Sequence, residues 1–493
     1  MKIKNSLHNT TFHSSLPTFH SSFSTFHSSL STFHSSLPTF HSSFSTFHSS
    51  LSTLFISLLT LLLFSLPASE LFARQTDFKK LDSLLYTLES NDRFMGSIAV
   101  AIDGKVIYSK FSGYSDIESG LKADENSRYR IGSISKMFTA VLVFKAIEEG
   151  KLTLDMTLDR FFPSIDNSQK ITLGDMLNHH SGIHSVTDNK DYLEWNTKPM
   201  AKKDMVKLIS EGKSEFEPKS KAKYSNSNYI LLTYILEDIY GKSYRDILNK
   251  KVIKPLSLKY TEMPANSKKL KGECNSFKFA ERWIKESDTD PSVPVGAGAV
   301  VSTPSDLLIF ADALFSGKLL SEASLKQMTK INDGFGHGIF PFQFYDKKLF
   351  GHTGGIDGFS SILAINPDDG IGVAIISNGF NYNINNIMIA AYSCVYGKPF
   401  SIPSFTKITI SQELIRNYSG VYSSKQLPFK IEISSEGERI FAQATNQKRF
   451  EIEATAPDTL CSLDRTIVIT FKPETNEMTL KQSGFTFTFT KAL

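Results

Sequence analysis

The stretch that constrains this chain most is Arg130-Ile-Gly-Ser-Ile-Ser-Lys136 and the run behind it, Met137-Phe-Thr-Ala-Val-Leu-Val-Phe144. The run is apolar on almost every side, and a helix of that character is a buried one. The spacing therefore predicts a helix over 133–150, starting near Gly132, with the whole domain packed around it. Ser133 and Lys136 are three apart in its first turn, so they share a face. A lysine at the head of a buried helix loses water, and desolvation disfavours its ammonium form. A neutral amine beside a hydroxyl can take its proton, which makes the pair a candidate nucleophile and base. Taken alone, S-x-x-K is also what an ordinary capped helix start looks like.

The rest of the chain supplies context. Its 493 residues and formal charge of +4 describe two or three domains. The lysines between Lys202 and Lys223 are interrupted by acids, which leaves no footprint for nucleic acid. Cys274, Cys394 and Cys461 are odd in number, far apart and without metal spacing, so they predict no disulfide framework. Residues 1–53 are a low-complexity head. From Thr11 to Ser52 run six copies of Thr-Phe-His-Ser-Ser-(Leu/Phe)-(Pro/Ser), and seven of the 12 histidines lie in the head. A histidine-tract metal site is one reading of it. The favoured one is a low-complexity extension, or translated repeats ahead of a true start, because single histidines among serines do not converge.

At Leu54 the composition changes to Leu-Phe-Ile-Ser-Leu-Leu-Thr-Leu-Leu-Leu-Phe-Ser-Leu66, followed by small residues up to Ala73. Residues 54–73 read as a secretory signal cleaved near Ala68 or Ala73, although no Lys or Arg lies between Lys4 and Arg74. An uncleaved anchor is the alternative. The expectation is a periplasmic or extracellular protein that touches the membrane only if this segment is retained.

Residues 74–400 mix both kinds of element. A helix over 76–91 precedes a hairpin around Asp103-Gly104, a dipeptide suited to a type I′ turn. Helices are expected after Thr172, over 229–240 and over 385–395, with strands near Leu349, at 360–365 and at 371–376. Strands at both ends with helices between predict an α+β body whose sheet is assembled from both ends. Over 405–493 the alternation in 429–433, 439–443, 466–471 and 485–490 predicts a small all-β sheet or barrel. Nothing polar converges there.

Three more stretches bear on the serine and lysine: Tyr224-Ser-Asn226, His352-Thr-Gly354-Gly355, and Gly296-Ala-Gly-Ala-Val-Val-Ser-Thr-Pro-Ser-Asp306. With Ser133-x-x-Lys136 the first two follow the order of the motif set S-x-x-K, S-D-N and K-T-G, Tyr224-Ser-Asn226 standing in place of S-D-N and His352-Thr-Gly354 in place of K-T-G. The chain thereby resembles the serine β-lactamase and penicillin-binding-protein family, in the branch of class C β-lactamases, D-alanyl-D-alanine carboxypeptidases and related esterases. The likeness runs from about 78 to 395 and includes Gly113-Tyr-Ser-Asp116, Gly150-Lys-Leu-Thr-Leu-Asp155, Leu177-Asn-His-His-Ser-Gly-Ile183 and Pro255-Leu-Ser-Leu258.

The resemblance implies a β-lactamase/transpeptidase-like fold, an antiparallel sheet flanked by helices with a helical subdomain. It also implies an acyl-serine hydrolase without metal or cofactor. Its substrate would be a small molecule or peptide: a D-Ala-D-Ala-type stem peptide of peptidoglycan, a β-lactam or a small ester. By the same likeness Ser133 is the nucleophile, Lys136 shares its proton network, and Tyr224 is the base for attack and the acid for the leaving group. Asn226 holds Lys136 or the substrate amide. The N–H groups of Ser133 and Gly355 form the oxyanion hole, and His352, Thr353 and Gly354 bind substrate. Histidine in place of the K-T-G lysine weakens carboxylate recognition at neutral pH, and shifts the expectation from β-lactamase toward peptidase or esterase. A non-catalytic envelope scaffold is the alternative. His179, His180 and His184 tempt toward a metal, yet no carboxylate accompanies them and a structural turn is favoured. His337 is placed on a loop at the pocket rim. No G-x-S-x-G or H-E-x-x-H occurs, which argues against an α/β-hydrolase or a zincin.

Overall fold

A computed structural model describes residues 76–462, 467–482 and 485–492. The repeat head and the apolar segment 54–73 lie outside the described residues.

The Asp103-Gly104 turn forms as its dipeptide requires, with φ of 48° and 72°. It joins β1 (Phe94–Ile102) to β2 (Lys105–Ser112). The late strands are β3 (Phe340–Phe344), β4 (Lys347–Ile356), β5 (Phe359–Asn366) and β6 (Ile371–Phe380). The sheet order is β2-β1-β6-β5-β4-β3, antiparallel throughout this path. The last strand of the body therefore pairs with the first, which closes the sheet from both ends of the chain. A hairpin not anticipated from the sequence, Phe277–Ala280 with Arg282–Lys285, joins the edge of β6 by a single parallel pair, Gly379 with Phe277.

Side-chain alternation sorts the central strands into two cores. Ile98, Val100, Ile102, Val373 and Ile375 face α1 (Lys79–Ser90) and a C-terminal helix, Ile384–Val395. Ala99, Ala101, Ala374 and Ile376 face the larger core around α2 (Ser135–Glu148). Every residue of β1 is buried, so the small alanines on one face leave room for helices to approach. Helix α2 is buried on nearly all sides, from Ser135 through Phe144, as its composition demands. It packs against α3 (Asn226–Tyr240). Thr172 caps the helix Leu173–Leu177 in a reciprocal box with Asp175. Thr303 caps the helix Pro304–Phe315 through the Asp306 amide.

The C-terminal part is a closed barrel of eight strands between Gly420 and Lys491, sealed where Tyr422 pairs with Lys491. Four of these strands carry the alternation noted above. The others, Gly420–Ser423, Phe450–Ala456, Thr459–Ser462 and Glu477–Gln482, are short or weakly patterned. Ile431, Ile433, Ile452, Leu460, Ile469 and Phe489 fill the interior. Tyr418, at the end of the helix Gln412–Tyr418, stacks on Phe471 at 4.3 Å.

Candidate active site

The chain reaches the head of α2 through a 3-10 turn, Gly132–Ile134, so Ser133 sits one turn outside the regular helix. Gly132 makes this approach possible. Its φ is 50°, and a Cβ there would lie 2.7 Å from the amide nitrogen of Gly355. Gly354 is equally constrained, since a Cβ would stand 2.0 Å from the Ile131 carbonyl oxygen. The glycines of the His-Thr-Gly-Gly stretch thus let strand β4 and the serine turn touch backbone to backbone.

Strand β4 pairs with β3 only as far as Gly351, opposite Phe340. From His352 to Ile356 its outer edge has no strand neighbour among the described residues. A two-residue turn, Asp357-Gly358, joins Ile356 to Phe359. In such a hairpin the flanking residues form the hydrogen-bonded pair. The amides of His352, Gly354 and Ile356 therefore point into the sheet, and those of Thr353 and Gly355 point to the open edge beside Ser133. Thr353 and Gly355 are exposed, and a Cβ on Gly355 would meet open space.

Lys136 lies at the bottom of this cleft and is fully buried. Its Nζ is 2.7 Å from Asn226 Oδ1, 2.7 Å from the Ala297 carbonyl oxygen and 3.0 Å from Ser133 Oγ. Burial pushes its pKa well below that of a free lysine. A neutral amine has two hydrogens and one lone pair. Asn226 Oδ1 and the Ala297 carbonyl can only accept, so they take the two hydrogens. The lone pair is left for Ser133, and this arrangement can receive the serine proton.

Asn226 is itself held on both sides, its backbone N–H donating to Ser185 Oγ at 3.1 Å and its Nδ2 to Thr187 Oγ1 at 2.9 Å. Of the two roles expected for Asn226, the structure displays the grip on Lys136. Ser185 and Thr187 were not singled out from the sequence, and Ala297 was marked only as part of the 296–306 stretch. Ala297 contributes only a carbonyl, which any residue could supply.

Tyr224 stands over Lys136, with the amine 4.9 Å from its ring centre. Desolvation pushes its phenol above the usual range, and a hydrogen bond with Ser133 pulls only partly the other way. Two imidazoles flank it: His179 at 4.4 Å between ring centres and His352 at 6.3 Å. Burial, with the Lys136 charge second, lowers His352 to about 3. His179 is held well below its ordinary value, again chiefly by burial.

These observations bear on two expectations. Burial raises the Tyr224 phenol and so disfavours a resting phenolate there, with the Ser133 hydrogen bond acting the other way. His352, expected to bind substrate and to carry a charge when protonated, is 1 % exposed and neutral at physiological pH. Its Nδ1 is paired with the Thr353 carbonyl, and its ring packs on Phe340 at 4.3 Å, behind Tyr224.

The remaining histidines separate. His179 Nδ1 accepts from the Ser225 amide at 3.2 Å, His180 meets Asp333 at 3.1 Å, and His184 meets Glu215 at 3.1 Å. His337 is buried, with Nδ1 2.8 Å from the Gln327 carbonyl and its ring edge-on to Phe144. It packs against the body instead of standing free at a rim.

One further assembly escaped the sequence. Arg130 is buried and reaches Glu273 at 2.9 Å, the Thr289 carbonyl at 2.6 Å and Asp357 at 3.4 Å. Asp357 in turn accepts from Thr289 Oγ1 at 2.6 Å. This clasp ties the serine turn to the end of β4, fixing the two backbone segments that touch at Gly132. Breaking a buried pair by removing one partner is costly, so the clasp is a rigid support for the site.

Comparison with known proteins agrees with this geometry. The Beta-lactamase family profile matches residues 87–390. Penicillin-binding protein 4* of Bacillus subtilis (strain 168) is 26 % identical over 416 residues, 77 % of this chain and 90 % of that protein. Teichoic acid D-alanine hydrolase of Staphylococcus aureus is 29 % identical over 307 residues, 56 % of this chain and 73 % of that one. Among solved structures, the octameric penicillin-binding protein homologue from Pyrococcus abyssi superposes with a TM-score of 0.61 at 22 % identity, covering 84 % of this chain and all of that one. D-amino acid amidase from Ochrobactrum anthropi SV3 gives 0.58 at 22 % identity, over 65 % of this chain and 99 % of that one. With a serine beside a buried lysine, a tyrosine over the pair and a profile match across most of the body, this chain belongs to the Beta-lactamase family and is a serine hydrolase of that family.

Proposed function

We propose that the protein is exported and cleaves D-aminoacyl esters or amides through an acyl-enzyme on Ser133. The observation that carries the chemistry is the division of contacts around Lys136: two obligate acceptors and one hydroxyl. Lys136 takes the proton of Ser133 as Oγ attacks the substrate carbonyl. The developing oxyanion lies between the N–H groups of Ser133 and Gly355, a type of donor worth about 3 kcal/mol each in another hydrolase. Tyr224, protonated at rest, gives its proton to the departing alcohol or amine, and the proton that Lys136 took from Ser133 then restores the phenol. Water then attacks the acyl group by the same route in reverse. Thr353, on the open edge of β4, pairs with the extended substrate backbone.

His352 narrows the substrate. A D-Ala-D-Ala peptide and a β-lactam both end in a carboxylate, which the K-T-G lysine would attract. Here that position is a buried, neutral imidazole. An ester or amide with an uncharged leaving side needs no such partner. The relatives' names agree in kind, one cleaving D-alanine from teichoic acid and one hydrolysing D-amino acid amides. A second reading, acylation by β-lactams or carboxypeptidase action, draws on the similarity to penicillin-binding protein 4*. Export rests on the signal-like residues 54–73.

The test is hydrolysis of D-alanyl and L-alanyl p-nitroanilides and methyl esters, with D-Ala-D-Ala and a chromogenic β-lactam alongside, by wild type and Ser133→Ala. Cleavage of the D-alanyl compounds that disappears in the mutant is expected. Activity surviving Ser133→Ala would refute the nucleophile. A preference for the carboxylate-bearing substrates would refute the substrate class, and inactivity on all of them would return a scaffold role.

A further inference from the structure

Away from Ser133, a cleft of about 720 Å³ opens between the 115–128 segment and the 269–275 loop. Both cations and carboxylates line it, so the balance depends on which are already engaged. Asp116 accepts through both oxygens, from Asn275 Nδ2 at 2.9 Å and Ser119 Oγ at 2.7 Å. Both oxygens of Glu273 are likewise taken, by Arg130 and by the Leu270 amide. Asp124 closes its own turn, accepting from the Asn126 amide at 2.9 Å.

Of the four cations, Lys122 is paired with Glu89 at 3.5 Å and Lys269 with Asp288 at 3.0 Å, while Arg128 and Lys271 are less occupied. Arg128 has its guanidinium 5.3 Å from the centre of the Tyr260 ring, and its side chain is 18 % exposed. Its nearest carboxylate, Glu262, stands 3.8 Å away and is engaged by Arg245 at 2.9 Å. Its Nε is buried without a hydrogen-bond partner among the described residues. A buried donor without an acceptor is costly, which makes an acceptor at this place favourable. Lys271, on the facing loop, is exposed and has no ion pair among the described residues.

We infer that this cleft is a second binding site, for a phosphate-class oxyanion gripped between Arg128 and Lys271. An arginine held over an aromatic ring presents a planar fork of donors matching two phosphate oxygens, while a lysine adds a mobile point charge. Two cations in one cleft suit a dianion better than a single carboxylate. A free phosphate and one carried on an ester present the same chemistry to the cleft. The site is independent of the reaction proposed for Ser133.

Calorimetric titration of the full-length protein with inorganic phosphate, glycerol 3-phosphate and acetate tests it, in wild type, Arg128→Gln and Lys271→Gln. Saturable phosphate binding that weakens at least about tenfold in each variant supports the site, as the loss of a charge-assisted contact requires. Lys271 is exposed, so its variant keeps the test valid if Arg128→Gln folds poorly, and its ester hydrolysis should match wild type. Tighter binding of glycerol 3-phosphate than of phosphate would support an esterified source, and the reverse a free one. Unaltered phosphate affinity in Lys271→Gln, no saturable binding to wild type, or acetate binding as tightly as phosphate would overturn the proposal.

Discussion

The hydrolase body and the C-terminal barrel handle polar groups in opposite ways. Among the described residues the barrel buries two polar side chains, Thr455 and Ser462, and no charged one. Its ion pairs, Arg439 with Glu451 and Arg449 with Glu436, sit on the outside of the wall. The body buries Arg130, Lys136, Asp290, Asp306 and four histidines. Buried charge is expensive unless it is engaged, so where a fold retains it the groups have shifted proton affinities and defined partners. That is the setting in which the proposed base, Lys136, loses affinity for its proton and His352 stands as a neutral spacer. The barrel, with an apolar interior and solvated charges, offers stability and surface but no reacting group.

The contrast can be broken most directly at Lys136. Lys136→Arg puts a permanent cation, which cannot give up its proton, in place of the neutral amine, and is expected to lower kcat/KM about 10²–10⁴-fold, the range for losing a general base. In wild type the burial-lowered pKa moves the acid limb of the kcat/KM profile well below 10.5. The sign is fixed by the role: as pH falls the amine is protonated, the base is lost and the rate drops. A limb at the pKa of a free lysine would show that burial does not tune the group.

Next in size is Gly132→Ala. The new Cβ would collide with the backbone of Gly355 and displace one oxyanion donor, for which a loss of about 10²–10³-fold in kcat is expected. Its circular dichroism spectrum should stay native, which separates misplacement from unfolding.

The barrel should respond in the other currency. Leu460→Ala opens a cavity in its core and is expected to lower stability by about 2–5 kcal/mol in denaturant titrations. Its kcat should remain that of wild type at temperatures where the barrel is folded; a matching fall in kcat would mean that the barrel shapes the site. The smallest effect is expected from Arg439→Ala, since an exposed pair contributes little. Neither melting temperature nor activity should change measurably, and a large drop in melting temperature would show that the outer ion pairs do more than solvate the wall.

Much of the molecule was legible in short-range pattern. The apolar run after Lys136 could only be a buried helix, and the Asp103-Gly104 pair could only be a tight turn between strands. The caps at Thr172 and Thr303 lie within three residues of the amides they satisfy, and Ser133 and Lys136 adjoin through a three-residue spacing that a 3-10 turn carries into the helix. Alternation exposed four strands of the barrel and missed the short ones, whose burial comes from neighbours more than from period.

Only the tertiary structure decided the rest. Asn226 and Ala297 are far along the chain from Lys136, yet they consume its two hydrogens and turn its lone pair toward Ser133. His352 occupies the position of a cationic residue, and its neutrality follows from packing against Phe340 behind Tyr224. The clasp of Arg130, Glu273, Thr289 and Asp357 draws on four separate stretches. Local sequence reports which groups are present and which face they take over a turn or a strand. Desolvation and hydrogen-bond partnership depend on what the fold brings from elsewhere, and those two quantities set the protonation states on which the chemistry rests.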